Sequence, residues 1–96
     1  MSFKVGLIGC GSIGTTIAKA VDNGVAGKTE LVIVYDIVKE HAEKLVNKLS
    51  KKPVIAQTAI ELIKNADVQL VVEAASQRAV QEYALEILKK GKDLMI

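Results

Sequence analysis

The sequence predicts an α/β fold, a doubly wound parallel sheet, on three observations. Short stretches rich in aliphatic and β-branched residues alternate with stretches whose apolar residues recur at helical spacing. A glycine cluster, Gly9-Cys10-Gly11-Ser12-Ile13-Gly14, joins the first strand pattern to the first helix pattern. An acid, Asp36, closes the second strand pattern. Strand–helix alternation of this kind implies parallel strands, helices on both faces and right-handed crossovers. The expected strand order is 3-2-1-4-5, with its switch between the first and fourth strands.

The first strand is expected over about Lys4 to Ile8, a short and mostly apolar run. The first helix follows from about Ser12 to Asn23, with Ile13, Ile17, Ala20 and Val21 in its apolar pattern, and stops at Gly24 and Gly27. The second strand runs from about Glu30 to Asp36 through a β-branched core. The second helix spans about Val38 to Leu49, with Ala42, Leu45 and Val46 on one face and Lys39, Glu40, Glu43, Lys44 and Lys48 on the other. Pro53 to Ala56 reads as a short edge strand, because proline cannot donate to a ladder. Thr58-Ala59-Ile60-Glu61 has capping-box spacing and opens a short helix to Ile63 or Lys64. Val68 to Glu73 is almost wholly apolar and is expected to be a central strand. A fourth helix is expected from about Gln77 to Lys90, with Ser76 as N-cap and Gly91 as its stop, and Asp93 begins a fifth strand. Folds of this type carry a sixth strand and a further crossover, so residues 1–96 are expected to be the front part of a larger protein, truncated before strand six.

The composition narrows the function. The 96 residues are half hydrophobic and a quarter charged, as in one compact domain. A net charge of +2 with scattered lysines describes solvated faces, not a nucleic-acid patch. One Phe, two Tyr and no Trp leave no stacking platform for bases. The single cysteine excludes an internal disulfide and suits a reducing, cytoplasmic setting. No apolar run approaches the ~20 residues that span a bilayer, and no secretory signal is evident. No Cys/His cluster points to a metal.

The glycine cluster carries the chemistry. It has the form G-x-G-x-x-G between a strand and a helix, the context that dinucleotide binding requires. Gly9 permits a sharp turn, Gly11 lets a pyrophosphate approach the backbone, and Gly14 lets helix pack on strand. Free N–H groups at the helix start favour a phosphate, with Ser12 capping the helix or offering its hydroxyl and Ile13 adding its backbone N–H. Asp36 is placed to accept hydrogen bonds from the hydroxyl pair of an adenosine ribose and to repel a 2′-phosphate. Ala74, Ala75 and Ser76, after the fourth strand, are small enough for a nicotinamide ribose to pass, and Gln77 either reaches the cofactor or starts the helix. The expected ligand is NAD, because the Asp36 carboxylate would repel a 2′-phosphate, with NADP possible through Lys39. Cys10 lies where a helix N-terminus favours a thiolate, yet no base accompanies it, so it reads as a small side chain filling the turn. His41 reads as a solvated residue on the charged face of the second helix, without a pocket or partner. No catalytic residue is assigned within the 96 residues.

These segments, with Glu73-Ala74-Ala75-Ser76 and Gly91-Lys92-Asp93-Leu94, resemble the N-terminal domain of archaeal and bacterial L-aspartate dehydrogenases. The resemblance implies a Rossmann-type domain and NAD(P)-dependent oxidation of L-aspartate to iminoaspartate for nicotinamide cofactor synthesis. It further implies a downstream domain that binds the small-molecule substrate and holds the catalytic histidine, and a homodimer built through that domain. Two other readings share the same glycine turn: an NAD(H)-sensing regulatory module, and the nucleotide domain of another amino-acid or sugar oxidoreductase.

Overall fold

The computed structural model describes residues 3–24, 27–74, 91 and 93–95. Strands β1 (Phe3–Ile8), β2 (Thr29–Tyr35), β3 (Val54–Ile55), β4 (Leu70–Glu73) and β5 (Asp93–Met95) alternate with helices α1 (Ser12–Asp22), α2 (Lys39–Asn47) and α3 (Ala59–Lys64) up to β4. All pairings are parallel. The expected 3-2-1-4 order is present, and residues 93–95 pair with β4 on its far side, giving β3-β2-β1-β4-β5. The expected helix over 77–90, with Ser76 as its cap, lies outside the described residues.

Successive strand residues point to opposite faces, and the core divides accordingly. Leu7, Val34 and Val72 pack with Ala18 of α1 and with Ala42, Leu45 and Val46 of α2. Their neighbours Ile8, Ile33 and Val71 pack under Leu62 and Ile63 of α3. Leu7, Val34, Val71 and Leu62 are 0 % exposed, so the sheet is covered on both faces, as near-continuous apolar strands require.

Several boundaries differ from expectation for local reasons. α1 buries Gly14 and Ala18, with Ile17 packed beside them, so the inward stripe is turned from the expected one and Ile13 is 67 % exposed. Val38 precedes α2 as its N-cap instead of lying within it. β3 starts after Pro53 and pairs only Val54 and Ile55 with β2. Val68 is buried but lies in a turn, where its N–H bonds Asn65 O and the Asn65 side chain accepts from Asp67 N. Half of the capping box forms: Thr58 Oγ1 accepts from Glu61 N at 3.1 Å, while the Glu61 carboxylate reaches one residue further back and accepts from Gln57 N at 2.6 Å. At the far end of α1, Asp22 accepts from the Ser50 hydroxyl at 2.7 Å and from Ser50 and Lys51 N–H. Those bonds, led by the hydroxyl, hold the Asp22 carboxyl below its ordinary value. No helix among the described residues is long and apolar enough to cross a membrane.

Candidate functional site

The register levels the carboxyl ends of three strands: Ile8 of β1 pairs with Tyr35 of β2 and with Glu73 of β4. Two bonds extend that edge, Gly9 N to Tyr35 O and Ala74 N to Ile8 O, each 2.8 Å. The glycine turn, Asp36 and Ala74 are therefore brought side by side across the switch in strand order. Ala75 and Ser76 lie outside the described residues.

Each glycine of the turn meets a different demand. Gly9 has φ +99°, a left-handed conformation that side chains disfavour. A Cβ on Gly14 would stand 1.9 Å from Gly9 O, so only glycine lets α1 start this close to the end of β1. Gly11 has φ −78° and a Cβ there would meet nothing within 4 Å. Its lack of a side chain is thus not required by the fold; it keeps the space in front of the turn open.

The N-cap of α1 is Gly11, not Ser12, which is the first helical residue. Glycine offers no side-chain acceptor, and Thr15 N is the first to bond back, to Gly11 O at 2.8 Å. The N–H groups of Ser12, Ile13 and Gly14 precede the helix's own ladder. α3, by contrast, is capped by Thr58. The open end of α1 combines unpaired helix-start geometry with the positive end of the dipole, a setting that suits an anion.

Asp36 is tied to this turn. Its Oδ2 accepts from Cys10 N at 2.7 Å and its Oδ1 from Val38 N at 2.8 Å. The side chain is 11 % exposed. A carboxylate offers about four acceptor positions, so after these two bonds it still has capacity for a diol. The acid thus both fastens the glycine turn and presents acceptors to the cleft.

Cys10 is 4 % exposed, with Sγ 3.7 Å from Tyr35 O. Burial, and then the charge of Asp36, push its pKa up to about 12. The expectation that the helix start favours a thiolate is overturned, because desolvation outweighs the dipole. Cys10 is a neutral thiol that fills the turn.

Two clefts flank Asp36. One, of about 370 Å³, lies toward β3 between Ile37, Lys39 and Gln57. Ile37, 87 % exposed, gives it an apolar wall that sequence reading did not single out. The other, of about 340 Å³, lies between the glycine turn and α2, lined by Gly11, Ser12 and the side of α2 that carries His41, Lys44 and Lys48. His41 is not without a partner: its Nδ1 lies 3.6 Å from Asp36 Oδ1. The signal was available, since 41, 44 and 48 recur at helical spacing through α2 and its C-cap.

Residues 9–96 match the family described as homoserine dehydrogenase, NAD binding domain. The chain is 43% identical over 93 residues to an L-aspartate dehydrogenase of Nitrosopumilus maritimus, covering 97% of this chain and 34% of that protein. An L-aspartate dehydrogenase of Methanocaldococcus jannaschii is 39% identical over 93 residues, again 97% of this chain and 34% of the other. Among solved structures, the myo-inositol dehydrogenase of Lactobacillus casei in complex with NAD(H) and myo-inositol superposes with a TM-score of 0.92 at 28% identity, over 98% of this chain and 27% of that one. The chain spans about a third of the length of the curated relatives it matches.

Proposed function

Since the chain belongs to the homoserine dehydrogenase NAD-binding-domain family, we propose that it is the cofactor domain of an enzyme that oxidises L-aspartate to iminoaspartate with NAD. The observation that most supports the cofactor part is the Asp36–Cys10 bond of 2.7 Å, which fixes a carboxylate beside an uncapped helix start. The substrate part is supported by relatives named L-aspartate dehydrogenase that align over 97% of the chain.

In this reading the N–H groups of Ser12, Ile13 and Gly14 hold the pyrophosphate, and Asp36 orients the adenosine ribose. Gly9 and Gly14 shape the turn, and Gly11 keeps the phosphate path clear. Ala74, Ala75 and Ser76 leave room for the nicotinamide half. NAD is preferred over NADP because Asp36 stands where a 2′-phosphate would approach. When bound, the nicotinamide supplies the hydride acceptor. Substrate binding and proton transfer fall to a further domain, with a homodimer formed through it, in a cytoplasmic setting.

Gly11→Val tests the cofactor part. Its backbone suits any residue and its Cβ would meet only open space, so the variant should melt as the wild type does. It should nevertheless lose NADH binding, because the side chain fills the phosphate path. Full affinity in a folded variant would reduce the cluster to a plain turn.

The substrate part is tested by presenting the whole protein with NAD and individual amino acids while the absorbance of reduced cofactor is followed. L-aspartate should drive reduction and L-alanine or L-homoserine should not. Tight NADH binding without turnover of any amino acid would favour a sensing module instead.

A further inference from the structure

We propose that His41, supported by Lys44 and Lys48, determines how far the site accepts a phosphate on the adenosine ribose, and so sets the ratio of NADP to NAD binding. This rests on the cofactor reading above and adds residues to it. The cleft between the glycine turn and α2 is lined by one imidazole and two lysines and by no carboxylate. It opens beside Asp36, whose Oδ1 lies 3.6 Å from His41 Nδ1. Asp36 itself is spoken for by two backbone N–H groups and cannot swing away. A 2′-phosphate on a ribose held at Asp36 therefore has one electrically favourable way to turn, toward α2. On the other side the cleft wall is the exposed apolar Ile37, with Lys39 its single cation among the lining residues.

His41 and Lys44 sit on one face of α2 and Lys48 follows on the same side as its C-cap, with Leu45 anchoring that turn in the core at 1 % exposure. A rigid helix thus presents a row of donors to an incoming phosphate. His41 is the member nearest Asp36, where its ring can donate a hydrogen bond to a phosphate on the ribose held beside that acid.

The test is titration of the whole protein with NADH and NADPH, followed by the fluorescence of each reduced nucleotide, for the wild type, His41→Ala, His41→Lys and Lys44→Ala. The ratio of the NADPH to the NADH dissociation constant should rise about fivefold or more in His41→Ala, rise less in Lys44→Ala, and fall in His41→Lys, as expected for an ion pair beside a partly shielded phosphate. Raising the salt concentration should increase the same ratio in the wild type, and by less in Lys44→Ala, which has one fixed cation fewer. Equal losses for the two nucleotides would place the cluster on the shared pyrophosphate and overturn the proposal. So would an unchanged ratio in all three variants. If the wild type binds neither nucleotide, the cofactor reading fails; if it binds NADH but its NADPH affinity ignores residue 41, only the present inference fails.

Discussion

Replacing Gly14 with alanine is expected to be the most damaging single change in the described residues. The new Cβ would lie 1.9 Å from Gly9 O and 2.9 Å from Gly9 C, both backbone atoms that cannot rotate aside. Alanine is a better helix former than glycine by about 1 kcal/mol, so propensity alone predicts stabilisation. Sterics reverse the sign. Overpacking costs about 1–3 kcal/mol where side chains give way, and here the obstacle is main chain, so about 3 kcal/mol net is expected. For a domain of this size that is roughly a 10–20 °C fall in melting temperature. The start of α1 must also withdraw from the end of β1, carrying its N–H groups away from the phosphate. NADH affinity should therefore fall with stability, and a variant that melts and binds like the wild type would refute the packing account of Gly14.

Asp36→Ala should have the second largest effect, through two separable routes. It removes the acceptor for Cys10 N and Val38 N, and stranding such donors costs about 1–3 kcal/mol. That loss loosens the turn and weakens both nucleotides alike. It also removes the ribose contact, which only a cofactor with a free 2′-hydroxyl exploits, and it removes the charge that repels a 2′-phosphate. NADH binding should therefore weaken about 10- to 100-fold, with a lower melting temperature, while NADPH suffers less. The ratio of the two affinities isolates the ribose contact from the loosened turn. A destabilised variant with an unchanged ratio would leave Asp36 a structural role alone.

Most of the fold was legible because its signals are local. Alternating apolar periods, Pro53 before β3 and Thr58 with Glu61 at α3 each act over a few residues, and among the described residues the strands and helices formed near where they point. The glycine spacing and the terminal acid named the edge of the sheet on which the candidate site lies, and the register levels that edge. What the sequence hid depends on contacts across the chain. The bond from Cys10 N to Asp36 joins residues far apart in sequence, so the acid's second role as a fastener of the turn could not be read from spacing. His41 looked like one more residue on a charged helical face, because its partner lies at the end of a neighbouring strand. Cys10 was judged by its place at a helix start, whereas burial in the core and then the charge of Asp36 decide its proton. The inward face of α1 was misjudged by one residue, since the close contact at Gly14, not the largest aliphatic residues, sets how the helix rolls onto the sheet.

We propose that the turn from Gly9 to Gly14, fastened by Asp36, holds a nicotinamide dinucleotide by its pyrophosphate and ribose. The most direct measurement is a calorimetric titration of the whole protein with NADH, run beside Gly11→Val. The account predicts saturable one-to-one binding by the wild type and none by the variant, with the two proteins melting alike. A folded wild type that takes up no NADH, or a variant that binds as tightly as the wild type, would contradict it.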